Sequence, residues 1–356
     1  MSIGFETVVK YLPGEVLDVR DHYSYLEPAI ARLSIEAQEK LRSTAPYQVR
    51  RLKDVSAAEI MALAAGLKAV DSIGLNPSEI DALFVAQTGG KQFMPLLGSY
   101  LHLNLGLRKN AIVRNVVDDN TSILDASYVA WNFVKSGLCK RVLVIAVAAQ
   151  IGGQTGFGVD LTDPLAQNYG DGAAAAIVSA QNLKCEFLSY HFESYPVRPR
   201  TGGTLIANIG RVRPLANPDL AVKAGVEDKP GAYLVLDDPL FDQVAGRRGL
   251  ISESLGRALK KAGLGLQDVQ LVIAPHIGHL EPGWMLDLQA AGLPQEAYRN
   301  LRSRYGNTAA ADLLIDVAEF AEESSIAKKS VVALWTPCVG VQLAALILRW
   351  PGSPYE

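Results

Sequence analysis

The second half of this 356-residue chain repeats the order and spacing of the motifs in its first half. A Gly-Leu pair that precedes an apolar run occurs at Gly74 and again at Gly263, 189 residues later. An Asn-Thr pair that opens a longer apolar run occurs at Asn120 and again at Asn307, 187 residues later. Two nearly equal offsets indicate a duplicated α/β unit rather than a short solenoid repeat. We therefore expect Asn120 and Asn307 to approach each other where the halves meet.

Apolar periodicity predicts that helices and strands alternate in each half. Helices are predicted over residues 55–72 and 250–262, and beginning at Asn120 and Asn307. Continuous apolar runs, typical of buried parallel strands, lie at residues 82–86, 142–147, 269–274 and 341–348 and begin again at Val331. The helix from Asn120 is apolar on most sides, so we expect it between two layers. Each half should therefore hold a sheet flanked by helices.

Proline and glycine divide the chain into three parts. Residues 1–190 form an amino-terminal half that carries Asn120, and residues 232–356 form a carboxy-terminal half that carries His276 and Asn307. The prolines and glycines between them predict an irregular linker over residues 191–231. This linker contains a basic cluster of Arg198, Arg200, Arg211 and Arg213.

Composition excludes several classes of function. Hydrophobic residues make up 49% of the chain, charged residues 20%, and the net charge is −3, which indicates a globular protein without a nucleic-acid surface. Three cysteines are too few for a disulfide framework or a zinc site. The longest apolar run, residues 142–149, is too short to span a bilayer, and no secretory signal is evident. We therefore expect a cytoplasmic protein with no membrane partner.

Four motifs in this order resemble the ketoacyl synthase III branch of the thiolase superfamily. They are Val-Lys-Ser-Gly at 134–137 before a strand, Tyr-Gly-Asp-Gly-Ala at 169–173, a histidine at the end of a strand at His276, and Tyr-Gly-Asn-Thr at 305–308. The resemblance implies a layered αβαβα fold with two mixed, mainly parallel sheets. It also implies an acyltransferase that forms a homodimer.

Members of this family carry a cysteine, a histidine and an asparagine, and here the cysteine is missing. The histidine matches His276 and the asparagine Asn307, while counting back from residues 134–137 places the cysteine position at Asn120. A helix N-terminus lowers the pKa of a thiol, but an amide cannot form a thioester. Asn120 is either native in a divergent member or a replacement for the cysteine. Asparagine is in either case a good helix cap.

His276 and Asn307 still suit acyl-thioester chemistry, because in the family they donate hydrogen bonds to a thioester carbonyl. Relatives with an amide at the nucleophile position can decarboxylate a malonyl thioester without condensing it. A buried structural histidine and a helix-capping asparagine are the alternative interpretations.

Further positions of this sequence are candidates by the same resemblance. Thr88, His279, Cys338 and Val339 are expected to contact substrate. Cys338 is either a replacement nucleophile or a buried structural cysteine. Ser122 paired with His276 would resemble a serine acyltransferase. His276 and His279 lack a third ligand at suitable spacing, so no metal site is expected.

The sequence therefore predicts an acyltransferase or condensing enzyme of the ketoacyl synthase III type. Its substrates would be thioesters of coenzyme A or acyl carrier protein, with no other cofactor. Divergence at residues 47–51 favours polyketide or other secondary metabolism over fatty acid initiation. The alternatives are a malonyl-thioester decarboxylase and a non-catalytic partner of a cysteine-bearing ketosynthase. The arginine cluster is either a solvated loop or a site for coenzyme A phosphates or an acidic carrier protein.

Overall fold

The computed structural model describes residues 1–54, 56–89, 96–117, 119–151, 157–158, 167–195, 203–208, 231–236, 244–338 and 342–351. Its strands are β1 (Gly4–Tyr11), β2 (Glu15–Asp18), β3 (Gln48–Arg51), β4 (Ala82–Gly89), β5 (Ile112–Val116), β6 (Arg141–Ala149), β7 (Phe157–Gly158), β8 (Gly172–Ser179), β9 (Cys185–Ser194), β10 (Gly203–Asn208), β11 (Gly231–Leu236), β12 (Val269–Ile273), β13 (Tyr298–Arg299), β14 (Val331–Cys338) and β15 (Gln342–Arg349). Its helices are α1 (Val19–His22), α2 (Glu27–Ile30), α3 (Ile35–Thr44), α4 (Ala57–Asp71), α5 (Leu97–Asn104), α6 (Ser122–Lys135), α7 (Leu250–Lys261), α8 (Glu281–Ala290), α9 (Arg302–Tyr305) and α10 (Asp312–Glu322).

The main sheet confirms the duplication. Its ten strands lie in the order β13-β12-β14-β15-β9-β1-β8-β6-β4-β5, which is symmetric about the seam between β9 and β1. In the first half β4 runs parallel to β5 and β6, while β8 runs antiparallel to β6 and β1. In the second half β12 is parallel to β13 and β14, and β15 is antiparallel to β14 and β9. The two half-sheets therefore have the same mixed topology.

A short seam joins the two half-sheets into one. Strands β1 and β9 share only the pairs Gly4–Glu186 and Phe5–Cys185. A Cβ atom added at Gly4 would lie 1.9 Å from the carbonyl oxygen of Cys185, so the close approach requires glycine there.

The helices form three layers around the two half-sheets. Helices α6 and α10 share one apolar core with the facing sides of both half-sheets, as the burial of Ile123, Leu124, Leu313 and Leu314 shows. Helices α4 and α5 cover the outer side of the first half-sheet, and α7 and α8 cover that of the second. The layered αβαβα fold and the internal position of the helix near Asn120 are confirmed.

Some boundaries differ from those expected. Strand β9 begins at Cys185 and pairs with β15, so the boundary placed at residue 190 falls inside a strand of the second half. The region expected to be an irregular linker contains β10 and ends where β11 begins, and these two strands pair antiparallel. Residues 209–230 and all four arginines of the basic cluster lie outside the described residues. The helix expected from Asn307 begins at Asp312 instead.

Within the described ranges, every helix is too short or too polar to cross a membrane.

Candidate functional site

Two equivalent turns meet at the junction of the halves. Each is a 3-10 turn that leads into a central helix: Asp119–Thr121 into α6 and Ala309–Ala311 into α10. Each begins with a residue of positive φ, +45° at Asp119 and +42° at Ala309. Left-handed backbone at non-glycine residues is uncommon and often marks functional sites. By structure, Asn120 is therefore equivalent to Ala310, and Asn307 lies in the loop just before the second turn.

Thr88, at the end of β4, connects the two turns. Its hydroxyl donates to Asp119 Oδ1 at 3.2 Å and accepts from the backbone N–H of Ala310 at 3.4 Å. The structure thus places this predicted substrate residue at the junction, where it bridges protein groups of both halves.

Asn120 lies at the same junction and is only 4% exposed. Its Nδ2 donates to Asp312 Oδ2 at 3.4 Å. The N-cap of α6 is Thr121, without a side-chain capping bond, so Asn120 is not the expected helix cap. Its side chain reaches across to the other half instead.

Asp312 is the group on which the predicted site residues converge. Its fully buried carboxylate accepts from the backbone N–H of His276 through Oδ2 at 3.0 Å. Its Oδ1 accepts from both the backbone N–H and the hydroxyl of Thr308, each at 2.6 Å. The bond from the Asn120 amide to the same carboxylate joins this part of the second half to the first half. Thr308 directly follows Asn307, so one carboxylate organises the surroundings of all three family positions.

His276 is completely enclosed, and both of its ring nitrogens have acceptors. Nδ1 lies 2.5 Å from the carbonyl oxygen of Gly306 and 3.2 Å from Asp312 Oδ1. Nε2 lies 3.0 Å from Asp316 Oδ2. Burial alone would lower the pKa of His276, but the charges of Asp312 and Asp316 outweigh it and raise this pKa to about 10. The raised pKa and the acceptors beside both ring nitrogens favour the imidazolium form of His276.

Two opposing effects, burial and the charge of His276, act on the pKa of each carboxylate beside this histidine. Burial raises the pKa of Asp316 to about 6, although the charge of His276 opposes this. Burial likewise raises the pKa of Asp312 against the opposing charge of His276. The three side chains thus form a buried charged cluster in which one cation serves two acids. A thioester carbonyl would have to displace Asp316 before it could receive the Nε2–H of His276.

Asn307 presents an open donor. Its Oδ1 accepts from the backbone N–H of Ala309 at 2.7 Å, which fixes the orientation of the amide. This bond resembles the capping role considered for Asn307. Its side-chain Nδ2 has no protein partner among the described residues, and the residue is partly exposed. Among the described residues, the hydrogen-bonding capacity of Nδ2 is therefore unused.

The Gly-Asp-Gly motif holds the loop of Asn307 in place. The Asn307 carbonyl oxygen accepts from Gly170 N at 3.0 Å and from Gln150 Nε2 at 2.9 Å. The buried carboxylate of Asp171 in turn accepts from the backbone N–H groups of Gln150 and Ile151 at 2.8 and 2.9 Å. A Cβ atom at Gly170 would lie 2.1 Å from the Tyr305 carbonyl oxygen. The motif is therefore structural support for the site.

The other predicted residues are placed as follows. His279 is partly buried, three residues beyond His276, and the described residues contain no group of three metal-ligating side chains. Cys338 ends β14, fully buried, with its Sγ 3.6 Å from Gln342 Oε1. Val339 lies outside the described residues. Ser122 donates its hydroxyl to the Asp119 carbonyl oxygen, so the structure does not pair it with His276.

Asp312 and Asp316 were not among the residues predicted from the sequence. The signal was present, because two acids four residues apart lie on one face of a helix that is otherwise apolar. Because buried acids are almost always paired, these two acids indicated a buried cation such as His276.

Two sequence families match the chain. Residues 119–196 match the family described as 3-oxoacyl-[acyl-carrier-protein] synthase III, and residues 259–350 match its C-terminal family. The beta-ketoacyl-[acyl-carrier-protein] synthase III of Listeria welshimeri is 25% identical over 98% of this chain and 99% of its own length. That of Staphylococcus saprophyticus is also 25% identical, over 98% of this chain and 99% of its own length.

Solved structures show the same fold at lower identity. The chain is similar to 3-oxoacyl-(acyl carrier protein) synthase III from Pseudomonas aeruginosa, with a TM-score of 0.76, 19% identity, and 99% of both chains covered. The priming beta-ketosynthase of a polyketide biosynthetic pathway has a TM-score of 0.78 and 18% identity, covering 99% of this chain and 97% of its own. A Xanthomonas campestris OleA variant with bound lauric acid and lauroyl-CoA gives 0.78 and 14%, covering 98% of this chain and 99% of its own.

Proposed function

We propose that this chain, which belongs to the ketoacyl synthase III family of the thiolase superfamily and is an acyltransferase of that type, works without an acyl-enzyme at position 120, because an amide there cannot form a thioester. It binds acyl thioesters where its two halves meet and transfers or condenses the acyl group directly between two thioesters. The thioester belongs to coenzyme A or to the phosphopantetheine of an acyl carrier protein. The relatives, named for an acyl-carrier-protein synthase, support this choice of substrate.

The observation that carries the proposal is the arrangement around Asp312. Its carboxylate binds the amide of Asn120, the backbone of His276 and Thr308, which follows Asn307. The residues at the three family positions are therefore held together although the thiol is missing.

Asn307 supplies the hydrogen-bond donor of the proposed reaction. Its oriented Nδ2 donates to the carbonyl oxygen of a bound thioester and stabilises the negative charge that develops there. If the donor is a malonyl thioester, loss of CO₂ leaves an enolate whose oxygen accepts the same hydrogen bond. The enolate carbon then attacks the acyl thioester, and the acyl carrier leaves as a thiolate.

His276 acts as a positioning residue in this scheme. Its Nδ1–H binds the carbonyl oxygen of Gly306, the residue before Asn307, and so fixes the turn that presents the amide. The role expected from the family, donation to a thioester carbonyl, stays a prediction that requires Asp316 to move. The pathway we propose is polyketide or other secondary metabolism, on the divergence of residues 47–51.

A second candidate function is a non-catalytic partner of a cysteine-bearing ketosynthase. Two observations favour it: position 120 has no thiol, and both ring nitrogens of His276 are bound within the protein. Such a subunit would complete the assembly of its relative rather than react itself. Decarboxylation of a malonyl thioester without condensation is the third candidate, and it requires only the Asn307 donor.

The purified protein alone distinguishes the three candidates. It is incubated with acyl thioesters and malonyl thioesters of coenzyme A and of carrier protein. The small products and the intact protein are then both analysed by mass spectrometry. We expect an acyl-transfer or condensation product and no adduct on the protein. Release of CO₂ with no condensation product would identify a decarboxylase. Activity only after addition of a cysteine-bearing relative would identify a partner subunit.

A further inference from the structure

Position 120 supplies a neutral donor to a buried carboxylate that also accepts from the backbone N–H groups of His276 and Thr308. Asn120 Nδ2 lies 3.4 Å from Asp312 Oδ2, and both residues are almost completely inaccessible, at 4% and 0% exposure. A hydrogen bond to an ionised acceptor is stronger than one between neutral groups. The contact also joins the two halves, because Asn120 precedes α6 and Asp312 begins α10.

The charged groups around position 120 are mainly negative. Asp119 belongs to the same turn, Asp312 and Asp316 come from α10, and His276 follows β12. His276 lies 3.2 Å from Asp312 and 3.0 Å from Asp316, so one imidazolium is shared by two buried carboxylates. Asp119 is a third acidic side chain beside the site. Surroundings with excess negative charge disfavour another anion, most strongly where water is excluded.

We propose that Asp312 is a positioning residue that holds an amide at position 120 and excludes a thiolate from it. Asn120 then belongs to the natural site of this chain and does not stand in for a cysteine. The inference rests on the assignment of position 120 to the reaction site, as proposed above, but not on turnover.

The physical reason is a competition between two local fields. The start of α6 favours an anion at position 120, because its N–H groups and its dipole point there. Asp312, in direct contact with the side chain at 120, opposes the anion at much shorter range. A cysteine at this position would remain a neutral thiol whose S–H points to Asp312. The mere introduction of a thiol would therefore not create a reactive nucleophile.

The test is the ionisation of a thiol placed at position 120. The variant Asn120→Cys is alkylated with iodoacetamide over a range of pH, and the peptide that contains residue 120 is quantified by mass spectrometry. The midpoint of the rate profile gives the thiol pKa, and its plateau gives access to the reagent. We expect a midpoint above about 8.5, the ordinary value for cysteine.

Two double variants assign the effect to Asp312. Adding Asp312→Asn should lower the midpoint by at least about one pH unit, which makes alkylation at pH 7 about tenfold faster. The matched control adds Asp316→Asn, a change of an equally buried acid on the same helix that contacts His276 but not Asn120. A smaller shift is expected there.

The natural cysteines should contribute little to the alkylation signal. Cys139, Cys185 and Cys338 are all buried, and burial raises the pKa of Cys139 to about 11 and that of Cys185 to about 12. The unaltered protein serves as the blank.

Two results would overturn the proposal. The first is a midpoint at or below about 8.5 in Asn120→Cys itself, a variant that retains Asp312 and so does not depend on the folding of the double variants. The second is an equal shift from the Asp312 and Asp316 changes. Because alkylation needs no substrate, absence of turnover in the thioester assay would contradict the proposed function alone.

Discussion

At the scale of single residues, the amide of Asn307 is divided between two tasks. Its oxygen accepts from the Ala309 backbone N–H, and its nitrogen, which has no protein acceptor among the described residues, is the donor that we propose for the substrate. Asn307→Asp keeps an acceptor for Ala309 and removes the donor, so the fold should persist while the rate of thioester turnover falls on the order of 10²-fold or more. Steady-state kinetics measures the loss, and thermal unfolding checks the fold.

A matched control for this change is Asn104→Asp on α5. The Asn104 side chain is exposed and donates only to the carbonyl oxygen of Tyr100 in its own helix. Turnover close to that of the unaltered protein is expected. If Asn307→Asp also retained full turnover, Asn307 would be a structural residue and the oxyanion donor would have to lie elsewhere.

Sequence reasoning at this scale found the residues but not their contacts. Asn120, His276 and Asn307 could be located by motif, and the structure brings all three around one junction. The offset of 187 residues paired Asn120 with Asn307, whereas the turns themselves match at an offset of 190, from Asp119 to Ala309. A contact such as that of His276 with Asp316 depends on how a strand end meets a helix, which spacing along the chain does not encode.

At the scale of elements, α10 brings two carboxylates into the central layer, and His276 balances them. The pKa of His276 is raised from 6.5 to about 10, so its contribution to stability is complete below pH 6.5 and is lost as the pH rises toward 10. The raised pKa of Asp316, about 6 instead of 3.8, acts in the same direction between those two values. Stability should therefore fall between pH 7 and pH 9.5.

Urea unfolding at several pH values measures this dependence. We expect the free energy of unfolding to decrease by on the order of a few kcal/mol across the alkaline window. His276→Gln should be less stable at neutral pH, because it leaves two buried acids without a cation, and it should lack the alkaline decrease. The same decrease in the variant would assign it to other groups.

Element boundaries were predictable where apolar periodicity was long. Helix α4 (Ala57–Asp71) was expected over residues 55–72, and β6 (Arg141–Ala149) over 142–147. The start of α10 was not, because Asn307 and Thr308 use their polar groups to hold a turn before the helix begins at Asp312. The seam between β1 and β9 was also beyond prediction, since it consists of two residue pairs between distant segments.

At the scale of the whole molecule, family resemblance predicts a homodimer. The leucine-rich segment at residues 96–107 is the candidate in this sequence for the dimer interface. Leu97, Leu101 and Leu105 pack into the core of their own chain, whereas Leu96 and Leu103 are exposed, at 38% and 79%. The segment therefore gives little support to the prediction, which rests on the family alone. Light scattering at micromolar concentration should give about twice the 38.3 kDa of one chain, and a single-chain mass would refute it.

The charged cluster also constrains how such a chain can change through evolution. The positions equivalent to Asp312 and Asp316 in the first half are Ser122 and Ala126, both neutral, at the same offset of 190 residues. Loss of any single member of the cluster leaves an uncompensated charge in the buried interior, whereas replacement of a whole buried ionic group is often tolerated. Replacement of one of the three residues is therefore expected to require a compensating change at the others. Change at this junction is therefore expected to proceed by paired or triple substitutions rather than one residue at a time.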